Sequence, residues 1–259
     1  MRRTLAITNQ KGGVGKTTTT INLAASLAAT GKHVLLIDMD PQGNATMGSG
    51  VDKRSLVSTV YQVLLGTQPI EKVCVRSPAG FDLIPSNRDL AGAELELVDF
   101  EKRETRLKDA LSNFGEEYDY VLIDCPPSLN LLTVNALCAA QAVVIPMQCE
   151  YYALEGLSDL VQTVKRVRAN LNPRLEIEGL LRTMYDPRNS LAQQVSDQLM
   201  QHFGEKVYRT VIPRNVRLAE APSHGMPVLS FDRQSRGALA YLALAGEMLN
   251  RTEREQVHG

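Results

Sequence analysis

Ten consecutive residues, Asn9-Gln10-Lys11-Gly12-Gly13-Val14-Gly15-Lys16-Thr17-Thr18, carry the groups that a polyphosphate needs. Gly12, Gly13 and Gly15 lack a Cβ, so the backbone there can turn tightly and bring its N–H groups against phosphate oxygens. Lys16 has the reach to meet the terminal phosphates, and the Thr17 hydroxyl is a ligand for Mg²⁺. The apolar run Leu5-Ala6-Ile7 ahead of the loop predicts a strand. The pattern from Thr17 to Ala29 predicts a helix with Ile21, Ala24, Ala25, Leu27 and Ala28 inside. A strand, a glycine-rich turn and a helix N-terminus in that order form an anion cradle, to which the helix dipole adds roughly half a positive charge. The stretch departs from the strict G-x-x-x-x-G-K-[ST] pattern at Gln10 and carries a second lysine, Lys11, before the glycine pair.

Two further carboxylate positions extend this chemistry from binding to hydrolysis. The run His33-Val34-Leu35-Leu36-Ile37 predicts a buried parallel strand, and it ends in Asp38-Met39-Asp40-Pro41-Gln42-Gly43-Asn44. Paired acids at a strand's C-terminal end lie on the edge where α/β sheets bind ligands. Tyr120-Val121-Leu122-Ile123 likewise ends in Asp124, as a Walker B strand does. An Asp there accepts a hydrogen bond from Mg²⁺-bound water or from Thr17.

The elements that position these groups alternate along the whole chain. Helices are expected near Val57–Leu65, in the charge-broken stretch Leu90–Leu111, and over Leu154–Leu171, Leu191–Phe203 and Ala238–Leu249. Strands are expected at Phe81–Pro85, Ala142–Pro146, Leu180–Met184 and Val207–Ile212, and a frayed polar tail over Arg251–Gly259. This alternation predicts one α/β domain spanning residues 1–259, a doubly wound, mostly parallel sheet with helices on both faces. A hydrophobic share of 44% in 259 residues suffices for its core, and the net charge of −1 leaves nucleic-acid binding open. The four cysteines form no C-x-x-C pair, which argues against a zinc knuckle or dithiol motif. The sequence enters its first strand at once and has no apolar run near 20 residues, so a cytoplasmic chain without a leader or membrane span is expected.

The K-G-G-x-G-K-T-T loop, the Asp38–Asn44 stretch and Asp124-Cys125-Pro126-Pro127-Ser128 together resemble the ParA/MinD superfamily, whose Walker A motif deviates in this way. Glu150-Tyr151-Tyr152-Ala153-Leu154-Glu155-Gly156 and Val211-Ile212-Pro213-Arg214-Asn215-Val216-Arg217-Leu218 narrow the resemblance to ParA/Soj-type partition ATPases. That resemblance implies a P-loop ATPase that uses ATP and Mg²⁺ and forms an ATP-bound sandwich homodimer, with weak basal hydrolysis. Lys11 would cross to the phosphates of the other subunit, Lys16 would act in its own, and Asp40 would orient the attacking water. The loop residues Gly12 to Thr18, Val14 included, would bind the nucleotide, with Pro213 and Asn215 lining the adenine. Thr17, Asp38 and Asp124 would serve the metal, the two acids through water.

The same resemblance implies nonspecific binding of double-stranded DNA through Arg188 and Arg217. It also implies stimulation by a ParB-like centromere-binding partner and a place on the nucleoid. From Arg182 to Arg236 there are eight Lys/Arg against five Asp/Glu, a modest local positive excess. The alternative on the same engine is a MinD-like, membrane-associated positioning ATPase. It would need a basic amphipathic C-terminal helix, and Leu239 to Ala245 reads instead as core packing without a Lys/Arg face. An iron–sulfur carrier or a metabolic P-loop ligase finds no cysteine motif or acceptor pocket in the sequence.

Overall fold

The computed structural model describes residues 2–258. The chain runs through β1 (Arg3–Ile7), α1 (Lys16–Ala29), β2 (Val34–Asp38), α2 (Asn44–Gly48), α3 (Val60–Leu65) and α4 (Ile70–Val73). It continues with β3 (Val75–Arg76), β4 (Asp82–Ile84), α5 (Leu90–Glu96), α6 (Arg106–Ala110), β5 (Tyr120–Asp124), α7 (Leu131–Ala139) and β6 (Ala142–Met147). The last third contains α8 (Ala153–Asn170), β7 (Glu176–Tyr185), α9 (Ser190–Phe203), β8 (Val207–Pro213), α10 (Val216–Glu220), α11 (Val228–Phe231) and α12 (Arg236–His258).

The strands form one sheet in the order β3-β4-β2-β5-β1-β6-β7-β8, and every pairing is parallel except β3 with β4. Side-chain alternation divides the core into two halves, one on each face. Ala6, Leu35, Ile37, Val121, Ile123, Val143 and Ile145 join α3, α5, α7 and α8 on one face. Leu5, Ile7, Leu36, Leu122 and Val144 join α1 and α12 on the other. Because both faces are covered, the central strands read as unbroken apolar runs. The expected doubly wound, mostly parallel architecture is therefore present.

Several boundaries differ from the sequence expectations. The stretch Leu90–Leu111 is two short helices, separated by a turn in which Lys102 takes φ +54°. The helix α7 was not expected; the Asn130 side chain caps it by accepting a hydrogen bond from the Thr133 N–H. Strand β7 starts four residues earlier than Leu180, because Glu176 and Ile177 already pair with β6.

The expected polar tail is the largest correction. Arg251 onward continues α12 as far as His258. The Arg251 guanidinium lies 4.2 Å from the centroid of the Tyr208 ring, donates to the Val207 carbonyl and bonds Glu247. An arginine that stacks on an aromatic and caps a strand carbonyl extends the helix where composition alone reads a solvated end. Among the described residues no helix is long and apolar enough to cross a membrane.

Candidate active site

The C-terminal ends of β1, β2 and β5 meet at one edge of the sheet, and each delivers one part of the site. From β1 the chain enters the glycine-rich loop. Asn9 ties the loop's start to β6 by donating to the Pro146 carbonyl (2.8 Å), and its Oδ1 accepts the Lys11 N–H at 3.0 Å. Gly13 and Gly15 take φ +74° and +88°, which explains glycine at both positions. Val14 is buried between them, and its carbonyl accepts from the Thr183 hydroxyl at 2.8 Å, so Val14 offers a ligand only its backbone N–H. Gln148 braces the loop from the other side through the Gly13 carbonyl (3.3 Å).

Helix α1 starts directly after this turn. Gly15 provides no side-chain cap, and the first turn holds no acid. The N–H groups of that turn therefore face the loop without an acceptor from a capping side chain, and they suit an anion. Lys16 is 7% exposed, and its Nζ donates to the Lys11 carbonyl at 3.2 Å. Burial pushes its pKa down, partly offset by the nearby carboxylates, Asp124 foremost and then Asp40. Lys11 lies on the exposed side of the loop and pairs with Glu150 at 2.6 Å.

Asp38 and Asp124 end neighbouring strands on the same rung, and both are fully buried. Asp124 accepts from the hydroxyls of Thr17 (2.8 Å) and Thr20 (3.0 Å). Asp38 accepts from the Thr46 N–H (2.8 Å), the Thr46 hydroxyl (2.7 Å) and the Asp40 N–H (3.1 Å). Burial pushes both carboxyls up, and the charge of Asp38 raises Asp124 further. Two desolvated acids surrounded by neutral donors favour an adjacent cation. Among the described residues no group of three or more His, Cys, Asp or Glu side chains could cage a metal alone. Such a donor set fits Mg²⁺ rather than a protein-caged ion, because Mg²⁺ keeps waters and takes substrate phosphates as ligands. The Thr17 hydroxyl would be the direct protein ligand, with Asp124 and Asp38 behind it. Asp40 is half-buried; its Oδ1 accepts the Gln42 N–H at 2.9 Å, which leaves Oδ2 for another partner.

The other expected residues lie farther along the same sheet edge. Pro213 ends β8, and Asn215 caps α10 by accepting the Leu218 N–H at 3.3 Å, which leaves its amide N–H₂ to donate. Arg188 and Arg217 follow the adjacent strands β7 and β8, and both are occupied. Arg188 makes a two-pronged contact with Asp186, whose carboxyl it holds down at about 2. Arg217 bonds Glu220 (2.8 Å) and approaches Asp232 (3.3 Å). Arg182, part of the local positive excess, is structural: it is buried and donates to Ser196 and to the carbonyls of Tyr208 and Arg209.

Sequence reasoning assigned no role to Thr20, Thr46, Ser86, Gln148 or Thr183. Only Thr20 had a readable signal, since it lies three residues after Thr17 and so shares its helix face.

Comparison with known proteins places this site in a lineage. A family model described as an AAA domain matches residues 2–177. The chromosome partitioning protein ParA of Caulobacter vibrioides is 55% identical over 257 residues, covering 98% of this chain and 96% of that protein. The sporulation initiation inhibitor protein Soj of Bacillus subtilis is also 55% identical, over 96% of this chain and 98% of its own. Among solved structures, cobyrinic acid a,c-diamide synthase from Mycobacterium smegmatis, with bound ADP and magnesium, aligns with a TM-score of 0.86. It shares 39% identity and covers 98% of this chain and 96% of its own. With a deviant P-loop, two strand-end carboxylates and full-length identity above half, the chain belongs to the ParA/Soj family of chromosome-partitioning ATPases.

Proposed function

We propose that the chain is a Mg²⁺-dependent ATPase of DNA segregation, one domain over residues 1–259 that works in the cytoplasm on the nucleoid. The observation that carries this reading is the convergence of the P-loop, Asp38, Asp40 and Asp124 at the sheet edge that also bears Arg188 and Arg217. The ADP and magnesium in the M. smegmatis structure support the same ligands here. Residues Gly12 to Thr18 bind the phosphates and Lys16 neutralises them. Pro213 and Asn215 contact the adenine, and Asp40 accepts a hydrogen bond from the attacking water and so orients it.

Lys11 gives the reading its dimeric form. It is exposed and bound to a surface glutamate, so it is placed to leave its own loop and meet the phosphates of a second copy. A triphosphate held by two chains makes assembly conditional on ATP, and two chains double the arginine surface presented to DNA. Basal turnover is slow until a ParB-like partner stimulates it, after which the DNA is released.

The membrane alternative is disfavoured by α12. Its apolar face, including Tyr241, Leu244, Ala245 and Met248, is buried against the sheet and α1. A synthase reading, taken from the name of the M. smegmatis protein, would need an acceptor site beside the phosphates. A cleft of about 820 Å³ lies away from them, at the far ends of β7 and β8 against Glu178, Val207 and Arg251, and one of about 370 Å³ is lined by Lys53, Arg54, Asn87, Arg88 and Asp89.

Filter binding of duplex DNA with ATP, ADP or no nucleotide tests the proposal, with liposome flotation in parallel. ATP-dependent retention that Lys16→Ala abolishes is the expected result. ATP-dependent flotation with no DNA retention would overturn it.

A further inference from the structure

Asp40 lies in a turn, and a turn holds a carboxylate in place only if its backbone is fixed. One group outside the turn, the Ser86 hydroxyl, fixes it directly, and Thr46 ties Ser86 to the neighbouring Asp38. The Ser86 hydroxyl donates to the Asp40 carbonyl at 2.8 Å, and that carbonyl also takes the Gly43 N–H at 2.8 Å. The Ser86 N–H donates to the Thr46 hydroxyl oxygen at 2.9 Å, which in turn donates to Asp38 Oδ2 at 2.7 Å. Thr46 and Ser86 are both fully buried. Ser86 lies two residues beyond β4, whose Ile84 pairs with Ile37 of β2, so the loop leaving β4 lies directly over the Asp38–Asp40 turn. The approach is close: at Gly43, φ +59°, a Cβ would come within 2.7 Å of the Ser86 carbonyl oxygen.

We infer that Thr46 and Ser86 are positioning residues for hydrolysis. They form one buried hydrogen-bonded chain that aims Asp40 while it orients Asp38. The inference rests on the reading of Asp40 as the residue that orients the attacking water. Each hydroxyl is placed to do two things. Thr46 receives from Ser86 and gives to Asp38, so its proton is committed to the carboxylate. Ser86 uses its N–H on Thr46 and its O–H on Asp40, so the two acids move as one body. Losing the Thr46 hydroxyl leaves the buried Ser86 N–H unpaired, and losing the Ser86 hydroxyl leaves the Asp40 carbonyl held only from within its own turn; either lets the Asp40 backbone drift by fractions of an ångström, which in-line attack does not tolerate.

The test is single-turnover ATP hydrolysis with Mg²⁺, alongside ATP dissociation constants and thermal unfolding. The proteins are wild type, Ser86→Ala, Thr46→Val, Thr46→Ser and Asp40→Ala. We expect Ser86→Ala and Thr46→Val to slow hydrolysis about tenfold or more with ATP affinity within about twofold, and Thr46→Ser, which keeps the hydroxyl, to stay within about twofold of wild type. Ser86→Ala removes a single atom and serves if Thr46→Val fails to fold. Wild-type rates for Ser86→Ala and Thr46→Val beside a slow Asp40→Ala would overturn the positioning role alone. A Thr46→Ser as slow as Thr46→Val, or a rate loss matched by lost affinity, would overturn it too. A wild-type rate in Asp40→Ala would bring down both this inference and the reading beneath it.

Discussion

The middle and the edge of the sheet treat charge in opposite ways. In the middle, Asp38 and Asp124 are wholly buried and meet neutral donors, Thr46, Thr17 and Thr20 among them. At the edge, Arg188 and Arg217 are 88% and 52% exposed, and each is already paired with carboxylates. Two buried acids that share one nearby cation, Lys16, are costly to ionise, so the middle favours a further cation. An exposed pair contributes little and is screened by salt, so the edge can exchange a carboxylate for a phosphate at small cost. On the proposed function, the difference separates a site for one tightly held ligand from a surface for a weak and reversible one.

The contrast can be broken most severely at Lys16. Lys16→Ala should weaken ATP binding by about 100-fold, measured by titration calorimetry, because the loop loses its buried cation. Asp40→Ala comes next. Hydrolysis should fall about 100-fold while ATP still binds, and sedimentation on DNA should show a complex that persists. If turnover survives, the centre does not work as described.

Effects at the edge should be smaller and dependent on salt. Arg188→Ala and Arg217→Ala should each lower the slope of log affinity for DNA against log salt by about 0.9 for every phosphate no longer neutralised, with basal ATP turnover unchanged. Asp186→Asn should tighten DNA binding by freeing Arg188. An unchanged affinity would show that the pair does not mask the arginine.

The smallest effect concerns how the edge strand is held. Burial acts to raise the Glu247 carboxyl, but donors from Thr210, Arg209 and Arg251 outweigh it and hold the group below its usual value. A depressed carboxyl adds stability that is present above the ordinary Glu range and is lost as pH falls through the folded-state value. Glu247→Gln should therefore reduce the acid sensitivity of thermal unfolding, and Glu247→Ala should cost about 1–2 kcal/mol at neutral pH.

The sheet's middle was legible in the sequence because burial on both faces writes strands such as Val34–Asp38 and Tyr120–Asp124 as unbroken apolar runs ending in an acid. The phosphate loop was legible because its glycines answer a backbone requirement, seen in the φ of Gly13 and Gly15. What escaped notice depends on contacts between distant segments. Ser86 reaches Asp40 across 46 positions and Thr183 reaches Val14 across 169, and nothing local marks either residue. Helix α12 outran its expected end for the same reason, since Arg251 looks like a solvated residue until Tyr208 lies beneath it.

The register of β2 against β5 has a further consequence. Val34 pairs with Tyr120, and four rungs on Asp38 pairs with Asp124, so the acids share a rung only because the two runs match residue for residue. Side chains alternate faces, so inserting or deleting one residue within either run would turn its Asp to the opposite layer and break the pairing with Thr46 or with Thr17. The lengths of these two strands are thus set by chemistry as well as by folding. Strands β7 and β8, whose pairing already slips between Leu180 and Tyr185, hold no pair of acids in register, and only Thr183 of β7 ties them to the phosphate loop among the contacts described above. Insertions and deletions should accordingly accumulate around β7 and β8 and be nearly absent from β2 and β5, even though all four lie in the same sheet.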